Sequence, residues 1–139
     1  MTGLRHVAFR VRDLANSRRF YEDGLGLRFI GHRPSSTSVD LSDGAINLTL
    51  LPYVGPKREA LEEGNEFIHL GFLVDDVAAT YQRLVELGAA VVRDDVKERR
   101  PHDTTAIPVG SFKVVDPDGN VLDISDRHDE WRIGTQAIK

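Results

Sequence analysis

Phe67-Ile68-His69-Leu70-Gly71-Phe72-Leu73-Val74-Asp75-Asp76-Val77 is the stretch whose reading decides the fold. Its residues alternate as in a strand. Ile68, Leu70, Phe72 and Val74 fall on one face, His69, Gly71 and Leu73 on the other, and Asp75 or Asp76 is placed to cap a following helix. The chain has already used this pattern once, in Leu4-Arg5-His6-Val7-Ala8-Phe9-Arg10-Val11-Arg12-Asp13-Leu14. Both copies fit His-x-x-Phe-x-Val-x-Asp followed by an aliphatic residue. Their histidines stand 63 residues apart (69 − 6), close to half of the 139-residue chain. A duplicated unit follows, with its two histidines in equivalent places.

The residues around each copy repeat as well. After the first strand, Asp13 or Asn16 caps a helix expected to run to about Asp23, with Leu14, Phe20 and Tyr21 on its buried side and Gly24 and Gly26 at its end. Leu27–Ile30, Ser38–Leu41 and Ala45–Leu51 read as strands, with Pro34-Ser35-Ser36 as a turn and Ser42-Asp43-Gly44 as a hairpin turn. After the second copy come a helix to Leu87, a stop at Gly88, and strands at 91–93, 111–115 and 121–125. The turn Asp116-Pro117-Asp118-Gly119 separates the last two. Each half is therefore β-α-β-β-β. The expected fold is α+β, with paired βαβββ modules forming an open barrel-like mixed sheet and the helices outside. Residues 1–53 form the first module, 54–65 a linker with a short helix near 58–63, 66–126 the second module, and 127–139 a tail holding Trp131.

Composition bounds the function. Hydrophobic residues make up 40% and charged residues 29%, an ordinary globular balance. The net charge is −4 with the basic residues dispersed, which argues against a nucleic-acid or anionic-membrane partner. With no cysteine, disulfides, thiol catalysis and thiolate metal sites are excluded. No apolar run approaches the ~18 residues of a membrane span. No secretory leader precedes the first strand, so a soluble, cytoplasmic protein is the expectation.

In each module the helix covers the face carrying Val7, Phe9 and Val11 or Leu70, Phe72 and Val74, so His6 and His69 lie on the opposite, concave face. In the last strand Leu122 and Ile124 pack, and Asp123 points the other way. A single strand histidine is ordinarily a packed or solvated residue. Here two recur at one site of a repeat, and a strand carboxylate joins them, which is costly on an inward face unless it is paired or ligated. His6, His69 and Asp123 match a facial triad for a divalent ion (Fe, Mn, Zn, Ni or Co) that leaves positions open for water or substrate. Arg10 shares the cavity face of His6 and is a candidate clamp for a substrate carboxylate or phosphate, or else an edge arginine reaching water.

These features resemble the vicinal-oxygen-chelate superfamily, which includes glyoxalase I, fosfomycin-resistance enzymes, bleomycin-binding proteins, methylmalonyl-CoA epimerase and type I extradiol dioxygenases. The resemblance covers residues 4–125. It rests on His6-Val7-Ala8-Phe9-Arg10-Val11, on Phe20-Tyr21-Glu22-Asp23-Gly24-Leu25-Gly26-Leu27, on His69 to Asp76 and on Asp116-Pro117-Asp118-Gly119-Asn120. It implies paired modules around a divalent metal held by His6, His69 and Asp123, and chelation of a small-molecule substrate with neighbouring oxygens, the metal acting as Lewis acid. It also implies a homodimer, since family members of this length commonly pair and some build the site across two chains.

The chain departs from each subfamily. Glyoxalase I and the epimerases add a Glu or Gln ligand where this chain has Asn47, a weak ligand and no base; Thr49 shares its face and is left to position substrate. Extradiol dioxygenases carry a Tyr where this chain has Lys113, a candidate to bind an anion or polarise a carbonyl, and a Glu where it has Asp123. Fosfomycin enzymes carry a threonine where it has Ala8. Arg99, Arg100 and His102 fall in a basic loop long enough for a lid, or for a solvated face; His32 and His128 read as surface residues. The expected function is a metal-dependent lyase, isomerase or dioxygenase of the glyoxalase/dioxygenase type. The alternative is a metal-free small-molecule (antibiotic) binding protein of the bleomycin-resistance kind.

Overall fold

The computed structural model describes residues 6–33, 37–56, 69–92 and 106–127. The short helix near 58–63, the strand residues 67–68, the basic loop with Arg99, Arg100 and His102, the turn at 34–36, His128 and Trp131 lie outside the described residues.

Strand β1 (His6–Val11) buries Phe9 and Val11 and leaves Ala8 and Arg10 exposed, as its alternation predicts. Asp13 then caps helix α1 (Leu14–Arg19), its side chain accepting a bond from the Asn16 amide at 2.9 Å. The helix does not continue as a regular α-helix to Asp23. It widens at Arg19 into a π-helical turn, Phe20–Gly24. Phe20 and Tyr21 are both buried there, with their rings edge-on at 5.0 Å. The chain returns through β2 (Arg28–His32), β3 (Val39–Ser42) and β4 (Asn47–Pro52). Between β3 and β4, Asp43 Oδ1 accepts from the amides of Ala45 and Ile46, both at 2.8 Å, so the fourth strand begins at Asn47 rather than Ala45. The register of β2 on β3 shifts between Phe29 and Gly31, an irregularity that period-two patterning does not announce.

The second half repeats the plan with β5 (Leu70–Leu73), α2 (Val77–Glu86), β6 (Ala90–Val92), β7 (Ser111–Val115) and β8 (Val121–Ser125). Asp76, not Asp75, caps α2 by accepting from the Ala79 amide at 2.9 Å. The sheets have the matching orders β1-β4-β3-β2 and β5-β8-β7-β6. In each, the first strand runs parallel to the last and the other pairs are antiparallel. The fold is α+β, built from two open, mixed four-stranded sheets. Among the described residues no ladder joins one sheet to the other.

One core serves both halves. Phe9, Val11, Tyr21 and Leu50 of the first pack in a single cluster with Leu84, Val114, Leu122 and Ile124 of the second. At Gly24 the halves come so close that an added Cβ would sit 2.6 Å from Leu84 Cδ2. A polar staple supplements the apolar contact. Tyr21 donates its hydroxyl to Asp116 Oδ2 at 2.6 Å, Ser17 Oγ donates to Asp118 Oδ2 at 3.0 Å, and the Arg12 amide donates to Asp118 Oδ1 at 2.9 Å. Asp116 also accepts from the amides of Asp118 and Asn120 and from Asn120 Nδ2, at 2.7–2.9 Å. The Asp-Pro-Asp-Gly-Asn segment is therefore more than the turn its sequence announces. It is a buried bracket for the first helix.

Candidate functional site

The face of the first sheet turned away from the helix carries the first group of candidates. His6 is half-buried and stands directly opposite Asn47 on β4; Ala8 stands opposite Thr49. Thr49 in turn faces Asp40 on β3, and Asp40 faces Gly31 on β2. Directly opposed residues project to one side of a sheet, so His6, Asn47, Thr49 and Asp40 share a face. Thr49 is 1% exposed and is already engaged. Its hydroxyl donates to Asp40 Oδ1 at 2.5 Å and accepts from Arg33 Nη2 at 3.1 Å. Arg33 also grips Asp40 through Nε at 3.2 Å and Nη2 at 3.3 Å. Burial pushes the Asp40 carboxyl up. The hydrogen bonds from Thr49 and Arg33, with the charges of Arg33 and His6, outweigh that and hold it below the ordinary carboxylate range. Arg10, exposed on the same face, lies 5.9 Å from the centre of the Tyr53 ring.

The second sheet carries the rest. Asp123 sits on an interior strand between Gly71 of β5 and Lys113 of β7, directly opposite both. Asp123 and Lys113 are half-buried. The position of Gly71 beside the carboxylate is open, since a Cβ there would meet nothing within 4 Å. His69 immediately precedes β5 and is half-buried, with its Nδ1 withdrawn from solvent. His6, Arg10, Asn47, Thr49, Lys113 and Asp123 fall on the strands expected to carry them, and His69 falls just before its strand. Within one chain, however, His6 belongs to one sheet and Asp123 to the other. Among the described residues no three His, Cys, Asp or Glu side chains gather to hold an ion. Two imidazoles and a carboxylate suit a divalent metal chemically; in this chain His6 lies on the first sheet, Asp123 on the second, and His69 just before the second sheet's first strand.

His6 and Asp123 lie on or beside an outer strand. Among the described residues β1 and β5 each have one hydrogen-bonded neighbour and stand at the outer end of their sheets. All four residues of β5 line a cavity of about 730 Å³ that also reaches Val7, Asn47 and Leu48. Two groups beside this face were not singled out in the sequence, Arg33 just after β2 and Asp40 within β3. The available signal was that Asp40 alternates onto the same face as Thr49.

No helix among the described residues is long and apolar enough to cross a membrane. Comparison with known proteins agrees with the repeat and the topology. A probable lactoylglutathione lyase of Synechocystis is 29% identical over 133 residues, covering 87% of this chain and 92% of that protein. The fosfomycin resistance protein FosX of Mesorhizobium loti superposes with a TM-score of 0.64 at 20% identity, covering 100% of this chain and 99% of that one. The trypanothione-dependent glyoxalase I of Leishmania major gives a TM-score of 0.61 at 21% identity, covering 91% and 87%. The family model described as Glyoxalase/Bleomycin resistance protein/Dioxygenase superfamily matches residues 3–124. With its two βαβββ sheets and duplicated histidine strands, the chain belongs to that superfamily.

Proposed function

We propose that the protein is a metal-dependent enzyme of the glyoxalase type, acting on a small molecule with neighbouring oxygens. It would work in the cytoplasm as a homodimer, without nucleic-acid or membrane partners. His6, His69 and Asp123 would hold the ion, which supplies a Lewis acid to a substrate chelated through two adjacent oxygens. The observation that carries this reading is that His6 on β1 and Asp123 on β8, beside β5, both lie on sheet faces turned away from the helices, and that among the described residues β1 and β5 each pair with one strand. A second copy of the chain would bring β1 of one protomer beside β5 of its partner and complete the three-residue ligand set, with substrate entering on the open face. Around that set, Asn47 opposite His6 would orient a substrate oxygen by its amide. Lys113 opposite Asp123 would balance charge or bind an anionic group, and Arg10 would meet a carboxylate at the rim. Thr49 would act through Asp40 and Arg33, because its hydroxyl is committed to them.

Metal stoichiometry tests the proposal. Reconstituted wild type should bind one divalent ion per chain, and His6→Ala, His69→Ala and Asp123→Ala should each lose it. A heterodimer of His6→Ala and Asp123→Ala chains should recover one tight ion per dimer if the set is shared between chains, and none if it is not. Absence of stoichiometric ion in wild type, with no change in the variants, would refute the metal reading. It would favour a metal-free binding protein of the bleomycin-resistance kind. That second reading draws on one specific observation, that the residue facing His6 is Asn47, a weak ligand with no capacity as a base.

A further inference from the structure

The cluster Arg33–Asp40–Thr49 is not explained by folding alone. Arg33 follows the last residue of β2, and a hairpin-end arginine ordinarily extends into water. This one turns back across β3 to reach a hydroxyl on β4, on the face that carries His6. The row it crosses is flanked by small residues, exposed Ala8 on one side and Gly31 on the other, and among the described residues a Cβ at Gly31 would meet nothing within 4 Å. The guanidinium therefore lies over a polar centre bordered by small residues. Its five N–H donors are not all used there. Three bonds engage Nε and Nη2, and both hydrogens of Nη1 stay outside them. Asp40 takes the Nε edge side-on, and that bidentate grip fixes the plane of the group. Thr49, 1% exposed, fixes it from below.

We infer that Arg33 is a specificity-determining residue that binds an anionic group, a carboxylate or phosphate, carried by the substrate at some distance from its chelating oxygens, and that Asp40 and Thr49 are positioning residues for it. Asp40 is unsuited to act as the general base that Asn47 cannot supply. Its charge is already neutralised by Arg33 and its lone pairs accept from Thr49 and Arg33, so it has little affinity for a substrate proton. What the pair offers instead is a rigid cation edge. An arginine held in place loses less freedom on binding than one free in water, and so recognises an anion at lower entropic cost. This inference rests on the metal reading for the other end of the substrate, and the experiment separates the two.

Lactate and the 2-hydroxy dicarboxylates with one, two or three methylenes before the second carboxylate (malate, 2-hydroxyglutarate, 2-hydroxyadipate) share one chelating end. Each is titrated calorimetrically into the Mn²⁺-loaded full-length protein. At least one diacid should bind about tenfold tighter than lactate, the usual worth of one well-formed charged contact. Arg33→Gln should erase that advantage, so that the diacids bind no tighter than lactate; Arg33→Lys should retain part of it; Asp40→Asn should reduce it. The inference is overturned if no diacid exceeds lactate by more than about twofold, or if Arg33→Gln weakens lactate and diacids alike, as a merely structural role would. If lactate fails to bind the loaded protein, the metal reading falls. The diacids are then titrated into the metal-free protein: binding that Arg33→Gln weakens sustains the inference, and binding that is absent or insensitive overturns it.

Discussion

Replacing Tyr21 by Phe removes one oxygen atom from the bracket between the halves and leaves almost everything else in place. The ring is fully buried, and its contacts with Phe20 at 5.0 Å, Phe9 at 6.3 Å and Phe72 at 6.5 Å do not involve the hydroxyl. What disappears is a 2.6 Å bond to the carboxylate of Asp116, itself only 4% exposed. A hydrogen bond to a charged acceptor contributes ~1.5–3 kcal/mol, and a buried acceptor that loses its donor keeps its desolvation cost. Asp116 retains three other donors, from Asp118 and Asn120, so the carboxylate is not stripped. The expected loss is therefore about 2 kcal/mol. In urea denaturation that is a fall of roughly 1 M in the midpoint with an unchanged slope. The pH dependence supplies an independent arm. Burial, then the charge and hydrogen bond of Asp116 and the charge of Asp118, hold the phenol well above its ordinary value of 10.0. With the folded value above the unfolded one, the native state keeps a proton that the unfolded chain releases. The stability this provides is complete below about pH 10 and is lost as pH rises toward the folded value. Wild type should thus weaken above about pH 10 with a component of up to ~1.4 kcal/mol per pH unit that Tyr21→Phe lacks. A loss below ~0.5 kcal/mol at neutral pH, together with parallel alkaline curves for the two proteins, would refute the reasoning.

Two further predictions concern packing and acid stability. Gly24→Ala places a Cβ 2.6 Å from Leu84 Cδ2 and 3.3 Å from Leu87 Cδ1. Leu84 is fully buried and cannot swing into solvent, so overpacking should cost about 1–3 kcal/mol. Calorimetry should show a drop of several degrees in Tm, and the loss in a Gly24→Ala/Leu84→Ala double variant should be smaller than the sum of the two single losses. Asp40 carries a carboxyl lowered in the folded state. Its contribution is complete above the unfolded value near 3.8 and is lost as pH falls through the folded value. Urea midpoints taken at pH 6, 4 and 3 should therefore fall more steeply below pH 4 for wild type than for Asp40→Asn.

Much of the architecture was legible because it is written in short-range patterns. The alternation through His6–Val11 assigned both faces of β1, the aspartates before Leu14 and Val77 marked the helix starts, and β7 and β8 fall at the expected residues. The misses share a cause. The widening at Phe20–Gly24 and the register shift after Phe29 are answers to tertiary packing, and no local period encodes them. That His6 and Asp123 fall in separate sheets follows from their places in the two modules; how the halves pair is what the repeat leaves open. Asp116 and Asp118 were readable as turn residues from their Pro and Gly neighbours. Their grip on Tyr21 and Ser17 was not, because those partners lie on an element with no sequence relation to the turn.

That bracket also sets an order of events for the growing chain. Its three bonds join residues 95, 101 and 106 positions apart. The first half therefore leaves the ribosome with the hydroxyls of Ser17 and Tyr21 turned toward partners not yet made. Contacts this distant are closed late, after the local strands and helices have formed, and they limit the folding rate more than the stability. The bracket closes only once Asp118 has been made, and strand β8 (Val121–Ser125) still follows it. A chain cut short before Asp116 would lack all three bonds.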